Sequence, residues 1–223
     1  EKENPLVFVS FPSGYFPKKF WQRVDDREDV KSVDFPLYEV KEKSRFFIIQ
    51  FSDIHSTFSD VCYRDVAQFT KETNELAPEF VVATGDLVMD ANPLKSEEDV
   101  EKYYQLYIRL TKNIKPPLFN LPGNHEHPWR IDSSSPLYNR GAFQHFIGPV
   151  YYSFDYSGWH FLMLEATAGE GKQIFDDEQL SWLEKDLSLS KDKPTIIFTH
   201  QPIPDCKNFP LFLGIISSNP QVK

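Results

Sequence analysis

The sequence predicts an α/β fold, and three observations carry that expectation. Short apolar runs at 46–51, 80–84, 118–121 and 195–199 read as buried strands. Amphipathic stretches at about 60–76 and 96–113 separate the first three runs with helical spacing. A polar cluster rich in Asp, His, Asn and Gly follows each apolar run at once.

Taken in order, residues 6–9 read as a short strand, Pro12-Ser13-Gly14 as a turn, and 23–34 as charged and irregular. Residues 35–40 read as another strand, with Pro36 favouring an edge position. No complete core is visible in 1–44, which we read as an N-terminal extension or the remnant of a β-domain; 45–223 reads as the main domain. There, Phe46 to Ile49 with Gln50 and Phe51 form the first strand. Ser59 or Asp60 caps a helix whose inner face carries Val66, Phe69, Thr73 and Leu76. Ser96 and Asp99 have the spacing of a helix start, Val100, Tyr103, Tyr107 and Leu110 form its stripe, and Pro116-Pro117 close it. Residues 151–156 and 159–165 flank Ser157-Gly158 as a hairpin. Asp176 or Asp177 starts a helix carrying Leu180, Leu183 and Leu187.

A chain of 223 residues with 40% hydrophobic content can bury one sizeable core. Its 20 Phe and 10 Tyr read as packing for that core. The net charge of −9 has no basic cluster within it, so the electrostatic footprint of a nucleic-acid binder is missing and no such partner is expected. An anionic substrate would be repelled at long range unless cations reverse the sign locally. Cys62 and Cys206 lie far apart outside any CxxC pattern, and no disulfide is expected between them. No apolar run reaches the roughly 18 residues of a membrane span.

The polar clusters are Asp53-Ile54-His55, Gly85-Asp86, Gly123-Asn124-His125-Glu126 and His200. In open α/β sheets, ligands bind at the carboxyl ends of strands. Four strands thus deliver Asp, His, Asp, Asn, His and His to one edge. Asp53 and His55 are two apart, so an extended chain would point both the same way. Asp86 can place one carboxylate between two cations, Asn124 offers a neutral oxygen, and His200 offers a ring nitrogen. A mixed O/N set without thiolate suits two divalent or trivalent ions, with Mn, Fe or Zn first, rather than a structural zinc cage. Two cations about 3.5–4 Å apart would clamp a phosphate and lower the pKa of a water between them, supplying hydroxide for in-line attack.

The order Asp53-x-His55, Gly85-Asp86, Gly123-Asn124-His125-Glu126, Thr199-His200 resembles the calcineurin-like metallophosphoesterase superfamily over about residues 45–223. The hairpin and the segment from Gln179 to Glu184 are also similar to that family. The resemblance implies a two-sheet sandwich flanked by helices, αββα, acting on a phosphate-ester substrate: a phosphomonoester, phosphodiester or pyrophosphate. It implies that Asp53, His55 and Asp86 hold one metal and that Asp86, Asn124 and His200 hold the other. By the same resemblance His125 is a non-ligand histidine that contacts the substrate phosphate and protonates the leaving group, so His125, Asp86 and Asn124 form the catalytic set.

Two departures stand out. The family places a second carboxylate three residues after the bridging Asp, where this chain has Met89, with Asp90 one later. The family also closes its site with Gly-His-x-His, and no such motif follows His200, so the resemblance reads the chain as incomplete at its C-terminus and predicts weak or partial metal occupancy. These departures motivate the alternative of a non-catalytic, metal-dependent binding module on the same scaffold. The stretches 11–15 and 33–37 are similar to the region leading into the catalytic domain of some exported bacterial phosphoesterases with an N-terminal β-domain. His145 and His160 read as structural, Arg130 and Arg140 as surface residues, Asp176 and Asp177 as helix caps, and His127 and Trp129 as either pocket or ordinary loop.

Overall fold

The computed structural model describes residues 6–24, 32–167 and 173–223. Of the charged stretch 23–34, residues 25–31 lie outside the described residues.

The first sheet is parallel, in the order β5 (Ile49–Phe51), β6 (Val81–Thr84) and β7 (Leu118–Leu121). The second pairs β8 (Tyr152–Tyr156) antiparallel with β9 (Trp159–Met163), and β9 parallel with β10 (Thr195–Phe198). Side-chain alternation along each strand decides what lies on either face. Phe80, Val82, Phe119 and Leu121 of the first sheet meet Tyr152, Phe154, Tyr156, Phe161 and Met163 of the second in one buried cluster. Ala83 faces the other way, toward Val100, Tyr104 and Tyr107 of α2 (Glu97–Thr111) and Phe143 of α3 (Arg140–Phe146). Beside them, Phe51 meets Phe69 of α1 (Asp60–Leu76) edge to face. Leu162 and Leu164 carry the outer face of the second sheet, against Leu180, Leu183 and Leu187 of α4 (Asp177–Leu189) and Phe212 of α5 (Phe209–Ser217). The layers therefore run helix, sheet, sheet, helix, the αββα sandwich expected.

The aromatic residues fill the space between the sheets. Phe119 stacks on Phe154 at 4.2 Å, and Phe154 on Phe161 at 5.3 Å. The N-terminal segment enters the same cluster: Phe11 is buried and stacks on Phe154 at 5.1 Å, and Phe16 and Phe20 pack beside it. That segment forms two small antiparallel ribbons, β1 (Leu6–Phe8) with β3 (Trp21–Arg23) and β2 (Tyr15–Pro17) with β4 (Leu37–Glu39).

The helix caps follow the sequence. Ser59 accepts from Cys62 N, Ser96 from Asp99 N and Asp176 from Gln179 N. Both cysteines are free thiols. Several expectations need correction. The first strand begins at Ile49 rather than Phe46, and β2, β3, α3 and α5 are elements that periodicity did not pick out. No helix among the described residues is long and apolar enough to cross a membrane.

His160 has the structural role expected of it. It lies buried between two carboxylates, Nδ1 2.7 Å from Asp155 and Nε2 2.6 Å from Asp186, and Lys193 closes the group on Asp155 at 2.9 Å. Burial alone would lower its pKa, but hydrogen bonds and charge from Asp155 and Asp186 outweigh that and raise it to about 9. A histidine raised in the fold contributes stability that is complete below its unfolded pKa of about 6.5 and lost as pH rises through the folded value. His160 should therefore contribute a fall in stability between about pH 6.5 and pH 9, on the order of 3 kcal/mol, visible in thermal melts together with the smaller fall from the buried Glu126 and Glu165, raised to about 7 and about 8. His160→Gln should flatten that slope; a wild-type profile already flat across this window would refute the charge assignment.

Candidate metal centre

The carboxyl ends of β5, β6, β7 and β10 bring Asp53, His55, Asp86, Asn124, His125 and His200 together. Asp86 lies at the centre, almost fully buried. Its two oxygens face different neighbours. Oδ1 is 3.2 Å from His200 Nε2, whereas Oδ2 is 3.6 Å from His55 Nε2 and 3.8 Å from His125 Nε2. Asp53 Oδ1 lies 3.8 Å from His55 Nε2, and Asn124 Oδ1 lies 3.2 Å from His200 Nε2. Two groups of three donors emerge, His55–Asp86–His125 and Asp53–Asp86–His200, with the ligand atoms of each within 4.8 Å of one another. Asp53 thus lies near both His55 and His200, and His125 stands inside a donor group.

The backbone at the site is unusual. Asp53 (φ 58°), His55 (φ 41°) and Asp86 (φ 53°) all occupy the left-handed region that non-glycine residues seldom adopt. The extended segment expected at Asp53–His55 is therefore absent. The residues converge through turned backbone, with Asp53 N bonded to Gly85 O and His55 N to Asp86 O. Local strain of this kind, on the order of 1–3 kcal/mol per residue, persists only where surrounding structure holds it. Two glycines allow the close approach. A Cβ on Gly123 would lie 2.2 Å from Asp86 Oδ1, and one on Gly85, itself at φ +88°, 2.6 Å from Gly123 N.

Glu126 does much of the holding. It is fully buried, and its carboxylate accepts from four backbone N–H groups: Asp86 at 3.0 Å, Leu87 at 2.7 Å, Val88 at 3.1 Å and Gly123 at 2.6 Å. Burial and the nearby Asp86 charge push its carboxyl up to about 7, against the pull of Val88, Gly123 and Leu87 N–H. Glu126 is not among the residues expected at the site from sequence. The available signal was its place three residues after Gly123, the spacing at which a Glu side chain returns to a helix N-terminus.

The histidines are oriented from behind. His200 Nδ1 donates to Thr84 O at 2.8 Å, and the Nδ1 atoms of His125 and His55 approach the single carbonyl of Met89 at 2.9 Å and 3.2 Å. All three rings thus keep Nε2 for the site, as a carbonyl behind a ligating imidazole arranges. Met89, standing where a carboxylate was expected, serves through its backbone. Asp90 Oδ1 is 3.5 Å from His125 Nδ1 and also accepts from Asn92 N. Burial would raise the Asp86 carboxyl, but His200 and His125 outweigh it and hold the group below its usual range; His200 is raised in turn.

The donor set fits metal ions. It is nitrogen and oxygen only, it contains a buried carboxylate with one oxygen toward each group, and its imidazoles are fixed in the ligating tautomer.

Of the remaining candidates, His127 is fully buried, stacks on Trp129, and lies 3.2 Å from the equally buried Glu165. Arg140 is not the surface residue expected. It reaches Glu165 at 2.6 Å and also pairs with Asp176, because a buried carboxylate requires a partner. His145 is exposed on α3. None of these belongs to the two donor groups.

Fold and site together define an αββα sandwich that gathers a mixed Asp, His and Asn cluster at the strand ends of both sheets. The chain belongs to the calcineurin-like phosphoesterase family, whose model matches residues 47–215. Among curated proteins it is 28% identical over 155 residues to a glycerophosphodiester phosphodiesterase, GpdQ, of Enterobacter lignolyticus, covering 64% of this chain and 46% of the relative. It is 26% identical over 173 residues to a 3',5'-cyclic-nucleotide phosphodiesterase of a Nostoc species, covering 73% and 59%. The chain spans about half the length of the curated relatives it matches. Its fold is shared with a dimetal phosphatase from Danio rerio, at 16% identity and a TM-score of 0.59 over 78% of each chain.

Proposed function

We propose that this chain carries the catalytic site of a metal-dependent phosphoesterase, with a phosphodiester as the favoured substrate. The observation that supports it most is the Asp86 carboxylate, buried, with one oxygen toward each of two donor groups. Asp53, His55, Asp86, Asn124 and His200 would hold two cations, with Mn, Fe or Zn fitting the donors. Bound there, the ions would polarise the phosphoryl oxygens and lower the pKa of a water.

The chain's own residues supply the rest. Asp86 sets the spacing of the two sides. His125, with Nδ1 tied to Met89 O and Nε2 facing the cluster, is placed to contact the phosphate and, as an imidazolium carrying a proton on both nitrogens, to give the Nε2 proton to a leaving oxygen. Two curated relatives named as phosphodiesterases favour the diester over a monoester or pyrophosphate. The net charge of −9 and the lack of a basic stripe in the sequence weigh against nucleic acid as the substrate.

Protein loaded with Mn should hydrolyse bis-aryl phosphate, and chelation should stop it. Uptake of cations with no turnover of mono- or diester would favour the binding-module alternative. Failure to take up cations at all would overturn both.

A further inference from the structure

The residue after His200 faces the same site. Gln201 is 8% exposed, and its Nε2 donates to Oδ1 of Asn124, the oxygen offered to a cation. Its own Oε1 accepts from Gln173 Nε2 at 2.8 Å. A carboxamide has one donating end and one accepting end. With its oxygen committed to Gln173, Gln201 can present only its NH2 to Asn124, and Asn124 must answer with oxygen.

The other polar neighbour of that oxygen is His200 Nε2 at 3.2 Å. His200 donates through Nδ1 to Thr84 O, so in the neutral ring Nε2 is a lone pair and cannot hold an oxygen by donation. The Asn124 backbone is fixed separately, its carbonyl accepting from Asn92 Nδ2 at 3.0 Å. Fixing the backbone does not decide which end of the side-chain amide faces inward, and an inward NH2 would bring no lone pair to a cation.

We propose that Gln201 is a positioning residue that holds the Asn124 carboxamide with its oxygen toward the His200 side of the site, and that Gln173 sets the direction of Gln201. The proposal rests on the metal-dependent reading above. It assigns the effect to one side only. The Asp53–Asp86–His200 group, beside Asn124, depends on the amide row, whereas the His55–Asp86–His125 group does not.

Calorimetric titration of the cation-free protein with Mn2+, and separately with Zn2+, tests it on wild type, Gln201→Met, Gln201→Glu and Gln173→Met. Gln201→Met should weaken one of the two binding events about 10–100-fold and leave the other unchanged, the range typical for loss of an outer partner of a ligand. The cation-free variant should lose some melting temperature with the two side-chain hydrogen bonds, but a merely structural role would weaken both binding events alike rather than one alone. Gln201→Glu presents only acceptors when ionised, so it should also weaken that event, although added negative charge by itself would tighten it. Gln173→Met, acting through Gln201, should show a smaller loss. Wild-type affinity in both Gln201 variants would overturn the proposal; if Gln201→Met fails to fold, the near-isosteric Gln201→Glu decides alone. Absence of any cation uptake by wild type would overturn the metal-dependent reading and this inference with it.

Discussion

Asp86→Asn should lower turnover of a bis-aryl phosphate by at least about a thousandfold, roughly 4 kcal/mol in barrier, while leaving the fold intact. The substitution keeps the shape of the side chain and one oxygen. That oxygen can still accept from His125 N, as Asp86 Oδ1 does at 3.1 Å. The other position becomes an NH2 facing His55 and His125 Nε2, where Asp86 Oδ2 now lies at 3.6 and 3.8 Å. One side of the site thus loses its shared anionic oxygen, and the other keeps only a neutral one. Cation affinity should fall at both donor groups, because Asp86 belongs to both. Little stability should be lost, since a buried amide costs less to desolvate than a buried carboxylate. Turnover unchanged by Asp86→Asn would remove the bridging assignment.

Glu126→Gln should destabilise the fold by on the order of 1–3 kcal/mol at pH 8, the two N–H groups left without an acceptor outweighing the relief of burying an amide in place of a carboxylate. In wild type each carboxylate oxygen takes two N–H groups: Leu87 and Val88 on Oε1, Asp86 and Gly123 on Oε2. Whichever way the new amide turns, its NH2 faces two buried donors and leaves them without an acceptor. Each such donor costs about 1–3 kcal/mol. The damage should extend to function, because Asp86 N and Gly123 N belong to the turns that carry Asp86 and Asn124. Asp86 is held at φ 53°, and the bonds to Glu126 keep that turn in place. Urea unfolding of Glu126→Gln against wild type checks the energy, and loss of less than about 1 kcal/mol would show that the four bonds do not hold the site.

Much of this architecture was legible in the sequence for a physical reason. Strands buried on both faces read as continuous apolar runs, and those at 80–84, 118–121 and 195–199 became β6, β7 and β10 with little change in boundary. Polar residues just past such runs have few places to go except the sheet edge, which is why Asp53, His55, Asp86, Asn124 and His200 were found together. The rest was hidden for equally physical reasons. The seven residues of α3 are too few to display a helical period, and the nearly all-apolar α5 has no polar face to mark one. Asp53, His55 and Asp86 adopt a backbone conformation that a glycine would have announced, whereas Asp and His give no such signal. Glu165 and Arg140 take their roles from each other across distant parts of the sequence, and no spacing rule reaches that far; for Glu126 the Gly123 spacing marks one of its four bonds, and the others come from 38 to 40 residues away.

Anomalous diffraction from crystals soaked in millimolar Mn2+ tests the central claim most directly. Two peaks should appear, even at partial occupancy, about 3.5–4 Å apart with the Asp86 carboxylate between them. One should lie beside His55, and the other beside Asn124 and His200. A single peak, or ions bound only elsewhere, such as among Asp155, His160 and Asp186, would contradict it.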